Sequence, residues 1–165
     1  MSEWDINKAI GHKFKPYEVQ ITNKDMILYA LGIGFQRDPM NKSHYNYTYE
    51  NAEEFKSFPT MNVIVGHRGG IESLQIPGVP AFNPMLLLHG EETLEIYQEI
   101  QPDSTLVCQE SVLDVQDKKK AFVLVFETTI KDKESGELVS RIISNLFVRA
   151  PGGFGHRGSY KVDFP

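Results

Sequence analysis

The sequence predicts an α+β domain in which a helix covers one face of an antiparallel sheet. Two observations predict this class. Apolar residues recur at helical spacing in the first half, and apolar and polar residues alternate through most of the chain after residue 92. A length of 165 residues is enough for one domain with a core. We therefore expect a single domain over 1–165, divided into a helical and loop-rich part (1–90), a β-meander (91–150) and a glycine-rich tail (151–165).

Two helices are predicted in the first part. Thr22 and Asp25 form an acidic variant of the N-terminal capping box, and apolar residues follow at helical spacing over 26–33. A second, short helix is expected over 59–65, because its first residue is a proline and a glycine follows its last. The stretch 37–54 fits neither the helical nor the strand period, and long irregular loops are often functional.

Four strands are predicted in the second part. They are separated by short turns, and they cover residues 93–100, 105–115, 121–130 and 138–150. Consecutive strands joined by short turns usually pair with each other, so we expect an antiparallel meander. The helix over 24–33 is the candidate to cover one face of this sheet. The lysine run 118–120 is expected to be a solvated turn.

Composition and charge exclude several classes of function. The net charge is −5 and the basic residues are scattered, so we expect no nucleic-acid partner. No apolar run exceeds six residues, which predicts no membrane span. A single cysteine, Cys108, excludes an internal disulfide and fits a reducing compartment. Neither the start of the chain nor residues 163–165 carry a recognisable targeting signal.

The histidines show no local spacing typical of a metal site, and the chain has no phosphate-binding loop and no nucleophile elbow. We therefore expect no metal and no cofactor. Asp38 and His44 are a weak candidate pair for activating water, since nothing in the sequence holds them together. Glu50 is a further weak candidate, with surface placement as the default. His89 fits either a pocket wall or a turn.

The glycine-rich tail leaves two interpretations open. The segment Gly152-Gly153-Phe154-Gly155 follows the last predicted strand, and its backbone could approach a ligand closely. It could equally be a flexible exit from the sheet.

Seven short strings in order resemble one known family. They are Tyr29-Ala-Leu-Gly-Ile-Gly34, Arg37-Asp38-Pro39, Tyr49-Glu50, Phe58-Pro59-Thr60, Ile76-Pro77-Gly78, Leu88-His89-Gly90-Glu91 and Gly152-Gly-Phe-Gly155. Together they resemble the N-terminal half of the type-2, MaoC-like enoyl-CoA hydratase unit of peroxisomal multifunctional enzyme type 2. The likeness covers about residues 9–160.

The resemblance implies a hot-dog fold, in which an antiparallel sheet wraps around a helix. Complete eukaryotic members fuse two such units. The C-terminal unit carries the catalytic motif Gly-Asp-x-Asn-Pro-Leu-His and adds water to a trans-2-enoyl-CoA, giving a (3R)-3-hydroxyacyl-CoA, while the N-terminal unit accommodates the acyl chain. This sequence lacks that motif. The resemblance therefore implies the acyl-accommodating unit of a (3R)-specific hydratase of fatty-acid β-oxidation, inactive without the catalytic half.

The resemblance also implies roles for particular residues and partners. Tyr29, Glu50, His89 and the segment Gly152–Gly155 match positions expected near the substrate or the interface between units. The expected partners are an acyl-CoA substrate and either a catalytic hot-dog unit or a second copy of this chain, and the parent protein is expected to be peroxisomal. The CoA thioester is the substrate, so no cofactor is implied.

Two other functions stay open at the level of sequence. One is a self-sufficient hydratase or dehydratase that uses Asp38, His44 or Glu50. The other is a non-catalytic acyl-CoA-binding module.

Overall fold

Five antiparallel strands form one sheet. The computed structural model describes residues 4–67 and 74–161. The strands are β1 (Tyr17–Ile21), β2 (Leu87–Ile96), β3 (Ser104–Asp117), β4 (Phe122–Asp132) and β5 (Leu138–Val148), and their order in the sheet is β1-β3-β4-β5-β2. Strands β3, β4 and β5 are joined by short turns, whereas β1 and β2 occupy the two edges.

In the described residues, four short α-helices accompany the sheet. They are α1 (Ile6–Ala9), α2 (Asn23–Gly32), α3 (Tyr45–Thr48) and α4 (Met61–Gly66). The capping box predicted for α2 is confirmed. The Thr22 hydroxyl accepts a hydrogen bond from the Asp25 backbone N–H, and the Asp25 carboxylate accepts one from the Thr22 N–H at 2.9 Å. No helix in the described ranges is long and apolar enough to cross a membrane.

The core consists of two apolar clusters on the same face of the sheet, which we call the inner face. In the first cluster, Met26 of α2 and Val65 of α4 pack against strand residues that include Leu106, Ile130 and Ile142. In the second cluster, the N-terminal segment packs against the other ends of the same strands. Trp4, Ala9 and Phe14 of this segment pack with strand residues that include Val112, Phe122 and Phe126. The Trp4 and Phe122 rings meet edge to face with centroids 5.0 Å apart.

The structure corrects the predicted sheet in two respects. Strand β2 begins at Leu87, six residues earlier than predicted, and it pairs with β5 and not with β3, so the meander has three strands. Strand β1 was not predicted, although its residues alternate between exposed and buried positions. The part expected to be helical and loop-rich therefore supplies one edge strand and the start of the other.

The exposed lysine turn between β3 and β4 is confirmed, with Lys118 donating its N–H to the Ala121 carbonyl. Residues 1–3 and 163–165, on which the predictions about targeting partly rest, lie outside the described residues.

Candidate functional site

A bulge in β2 brings two chemically active side chains to the inner face. In a regular strand, residues three apart point to opposite faces. The register of β2 shifts at Gly90, so that His89 lies opposite Leu146 and Glu92 lies opposite Ser144. Leu146 and Ser144 are two residues apart on β5 and therefore share a face. His89 and Glu92 consequently lie on the same side of the sheet.

His67, His89 and Glu92 form what we call the histidine–glutamate cluster. His67 directly follows α4, and its Nε2 lies 3.0 Å from Glu92 Oε2. His89 Nε2 lies 2.8 Å from the same oxygen, and the Ser144 hydroxyl donates to it at 2.9 Å. The other oxygen, Glu92 Oε1, is buried and has no hydrogen-bond partner among residues 4–67 and 74–161. Within these residues, one carboxylate oxygen thus has three contacts and the other has none.

A cavity of about 220 Å³ adjoins this cluster. Besides His67, His89 and Ser144, its walls are Gly66, Glu110, Phe126, Thr128 and Leu146. Phe126 belongs to the second apolar cluster, and Leu146 packs against that cluster. A side chain at Gly66 would meet the end of the Ile142 side chain of the first apolar cluster, so a larger residue there would force Ile142 to move. The cavity therefore lies between the two apolar clusters of the core.

Glu110 is the acidic residue in the wall of the cavity. It lies on β3 opposite Thr128 and is half-buried, and its carboxylate has no hydrogen bond or ion pair with any residue in the described ranges. Burial raises the pKa of Glu110 from 4.5 to about 7. Both the protonated and the ionised carboxyl are therefore populated near neutral pH.

The arrangement suits part of a small molecule. Pockets for whole drug-sized ligands usually measure about 300–1,000 Å³, so a cavity of about 220 Å³ fits one end of a longer ligand. Its aromatic and aliphatic walls favour an apolar segment, while the imidazoles and carboxyls supply polar contacts. Two imidazole nitrogens and a carboxylate oxygen within 4.8 Å of one another are also a possible metal-ligand set.

Sequence spacing did not point to this cluster. His67 and His89 are 22 positions apart, and the fold, not a local motif, brings them together. Of the residues proposed from the sequence, His89 alone is in the cluster and in the cavity wall. Gly90 was the one signal that could have placed Glu92 beside His89, because a glycine inside a strand often marks a bulge.

Tyr29 and Glu50 lie elsewhere. The Tyr29 hydroxyl is 2.7 Å from the Thr60 hydroxyl, and its ring packs on the first apolar cluster. Glu50 is exposed in the turn after α3 and does not line the cavity. Their roles in substrate binding stay predictions.

Asp38 and His44 do not pair. The Asp38 carboxylate accepts a hydrogen bond from the Met40 N–H at 3.0 Å, and His44 Nδ1 accepts one from the Gln36 N–H at 3.0 Å. Each side chain thus accepts a hydrogen bond from a nearby backbone N–H, and no hydrogen bond or ion pair joins the two side chains within the described ranges. This arrangement gives no support to a water-activating pair at these positions.

The segment Gly152–Gly155 is tied to the end of β3. Asp117 accepts hydrogen bonds from the Gly153 and Gly155 N–H groups at 3.0 and 2.6 Å, and both glycines have positive φ. The Phe154 ring lies 4.0 Å, centroid to centroid, from the Trp4 ring. The segment is therefore anchored, and its proximity to substrate stays a prediction.

A second histidine–carboxylate pair, missed by the sequence analysis, holds the chain that follows. Asp114 is completely buried on the outer face and accepts hydrogen bonds from His156 Nε2 and from the N–H groups of Val115, Ser159 and Tyr160, at 2.7–2.9 Å. Burial by itself raises the pKa of Asp114, but the donated hydrogen bonds outweigh it and hold that pKa below its usual value.

A family model described as the MFE-2 hydratase 2 N-terminal domain matches residues 19–150. The chain belongs to this family. Among curated relatives, it is 35% identical over 153 residues to a probable enoyl-CoA hydratase 2 of Dictyostelium discoideum, covering 92% of this chain and 50% of the relative. It is 32% identical to peroxisomal multifunctional enzyme type 2 of Mus musculus, covering 89% of this chain and 20% of that protein.

Solved structures show the same fold. A MaoC-like dehydratase from Phytophthora capsici superposes with a TM-score of 0.76 at 28% identity, covering 98% of this chain and 54% of that one. Full-length peroxisomal multifunctional enzyme type 2 from Drosophila melanogaster superposes with a TM-score of 0.66 at 30% identity, covering 85% of this chain and 24% of that one. The predicted hot-dog fold is confirmed. This chain spans about half the length of the Dictyostelium hydratase and 20% of the mouse multifunctional enzyme.

Proposed function

We propose that this MaoC-like domain is the acyl-accommodating unit of a (3R)-specific 2-enoyl-CoA hydratase, which acts on trans-2-enoyl-CoA in fatty-acid β-oxidation. The match of residues 19–150 to the N-terminal domain of hydratase 2 carries the proposal. The sequence has no Gly-Asp-x-Asn-Pro-Leu-His, the water-activating motif that the resemblance assigns to the other unit. A catalytic hot-dog unit therefore supplies the reacting groups, and this chain shapes the acyl site.

The inner-face cavity supports an acyl ligand. Its apolar walls include Phe126 and Leu146, and each buried methylene contributes about 0.8 kcal/mol. His89 and Glu110 form a polar wall of the same space. A cavity of about 220 Å³ suits an acyl tail better than a complete CoA thioester.

The β2 edge supports pairing with a partner unit. Strand β2 is ten residues long, twice the length of β1 at the other edge, and it has no neighbour on its outer side in the described ranges. Leu88 and Ile96 on this strand and the adjacent Tyr97 are exposed apolar side chains. A long open edge is a template for another strand. We therefore place the catalytic unit, or a second copy of this chain, along β2.

Sedimentation velocity of the purified chain tests the pairing. In the absence of a catalytic unit we expect the mass of two chains, because a second copy then covers β2. A monomer at every concentration would contradict self-pairing, and it would leave the catalytic unit as the partner of this edge.

Hydration of a medium-chain trans-2-enoyl-CoA, followed by loss of enoyl absorbance, tests the function. The reaction is run with this chain alone, with the C-terminal half of the Dictyostelium relative alone, and with both. We expect no turnover from this chain and at least tenfold more turnover from the mixture than from the catalytic half alone.

The other outcomes separate the alternatives. Turnover by this chain alone would show a self-sufficient hydratase and make Asp38, His44 and Glu50 the first residues to replace. Tight binding of acyl-CoA with no effect on the catalytic half would show an acyl-CoA-binding module. The parent protein is proposed to be peroxisomal, in keeping with its similarity to peroxisomal multifunctional enzyme type 2 of Mus musculus.

A further inference from the structure

We propose that His67, His89 and Glu92 bind one divalent transition-metal ion. This metal binding is additional to the proposed hydration function, although His67 and His89 also line the cavity proposed for the acyl chain. Within the described ranges, this is the one group of three histidine, cysteine or carboxylate side chains whose ligand atoms lie within 4.8 Å of one another.

The distances between the ligand atoms are close to those of a metal site. Both imidazole Nε2 atoms lie 2.8–3.0 Å from Glu92 Oε2. A tetrahedral ion with bonds of about 2.0–2.1 Å separates its ligand atoms by roughly 3.3 Å. The two imidazole nitrogens lie within 4.8 Å of each other, so side-chain movements of the two histidines would admit the ion. Because His67 and His89 are partly exposed, their side chains have room for such movements.

The unpartnered oxygen of Glu92 is a second, independent sign of a ligand. Glu92 Oε1 is buried and has no hydrogen-bond partner in the part of the chain that the structure describes, an arrangement that costs free energy unless something else satisfies it. A bound cation compensates the carboxylate charge through either oxygen. The Ser144 hydroxyl, which donates to Oε2 at 2.9 Å, holds the carboxylate in place as an outer partner.

The donor set favours transition metals over magnesium or calcium. Two imidazole nitrogens and one carboxylate oxygen suit Zn²⁺, Co²⁺ or Ni²⁺, whereas Mg²⁺ and Ca²⁺ prefer sets of oxygen ligands. Three protein ligands leave one position of a tetrahedral ion open to water. The cavity shares His67 and His89 with the cluster, so a small molecule there could reach that position.

Metal titration of the purified full chain, freed of any histidine tag, tests the site. Co²⁺ is added while its visible absorption is recorded, and Zn²⁺ affinity is measured by competition with a chromophoric chelator. We expect one ion per chain and an intense tetrahedral Co²⁺ spectrum. The substitutions His89→Ala and Glu92→Gln should each weaken Zn²⁺ binding at least about 30-fold, because each removes one of three ligands.

His12→Ala is the matched control, since His12 makes an edge contact with Phe14 outside the cluster. It should bind Zn²⁺ as the unmodified chain does. Circular dichroism checks that every variant keeps its fold. Absence of binding by the unmodified chain, or equal binding by the folded His89→Ala variant, would overturn the site. Hydration assays run in chelator keep this outcome distinct from that of the proposed function.

Discussion

Two histidine–carboxylate groups stand on opposite faces of the sheet, and each lies at a β-bulge. On the outer face, Asp114 is completely buried, and four donors including His156 satisfy its two oxygens. On the inner face, beside a cavity, one oxygen of Glu92 has three contacts and the other is buried with no partner among the described residues. The same pair of residue types thus has all its carboxylate oxygens hydrogen-bonded on the outer face, and borders a cavity on the inner face.

The difference separates a structural role from a functional one. Three of the donors to Asp114 are backbone N–H groups, two of them from residues 159 and 160, so this carboxylate fixes the end of the described chain to β3. The partners of Glu92 are all side chains, and two of them are partly exposed imidazoles. A ligand can replace side-chain contacts more readily than backbone ones. Histidine beside carboxylate is therefore not enough to identify a site.

Replacing Asp114 should produce the largest effect on stability. In Asp114→Ala, the Ser159 and Tyr160 N–H groups lose their acceptor. We expect the free energy of unfolding to fall by about 3 kcal/mol in urea denaturation. The inner-face counterpart, Glu92→Gln, should cost less than about 1 kcal/mol, because the amide keeps an acceptor oxygen for Ser144. Equal losses in the two variants would remove the distinction between the faces.

Glu110→Gln should stabilise the protein at alkaline pH. Folding raises the pKa of Glu110 from 4.5 to about 7, because burial favours the neutral carboxyl. Below pH 4.5 the group is neutral in both states, and the free energy of unfolding falls as the pH rises from 4.5 to about 7. Glutamine stays neutral throughout. We expect the variant to exceed the unmodified chain by about 1–2 kcal/mol at pH 8, after allowing for solvent screening, and to match it near pH 4.5. Urea denaturation at both pH values measures this, and a difference independent of pH would contradict it.

The smallest effects should separate two histidines in the reconstituted hydratase. His89 lines the cavity, whereas His44 bonds within its own loop. With the catalytic half present, His89→Ala should lower kcat/KM about tenfold, which corresponds to about 1.4 kcal/mol. His44→Ala and Asp38→Ala should stay within about twofold. If His44→Ala lowered kcat/KM more than His89→Ala did, the functional site would lie in the 37–54 loop and not at the inner-face cavity.

Local signals predicted the parts of the fold that depend on neighbours in sequence. The capping box of Thr22 and Asp25 correctly located the start of α2, and alternation located β3, β4 and β5 to within a few residues. The position of β2 beside β5 depends on long-range pairing, which alternation does not encode. Gly90 also interrupts the alternation at the bulge, so the strand appeared to start at residue 93.

The site was less predictable than the fold, for the same physical reason. His89 was proposed from the string around it, but His67, Glu92 and Glu110 come from three separate elements or turns. Glu110 shares the inner face of β3 with Leu106 and Val112, because residues an even number apart point to the same side. That this face leaves a cavity beside Glu110 depends on the packing of α4 and the neighbouring strands, which the sequence does not show.

Binding of saturated acyl-CoA of increasing length tests most directly whether the inner-face cavity takes the acyl chain. Dissociation constants are measured by isothermal titration for acyl chains of four to eight carbons. Two neighbouring residues of β5 give a matched pair, since Leu146 lines the inner cavity and Phe147 lies on the outer face. Leu146→Trp fills the cavity, and Phe147→Trp leaves it open.

We predict that the unmodified chain and Phe147→Trp bind about fourfold more tightly for each added methylene, the equivalent of about 0.8 kcal/mol. Leu146→Trp should show no dependence on length. An affinity independent of length in the unmodified chain, or a dependence lost in Phe147→Trp and kept in Leu146→Trp, would contradict the account.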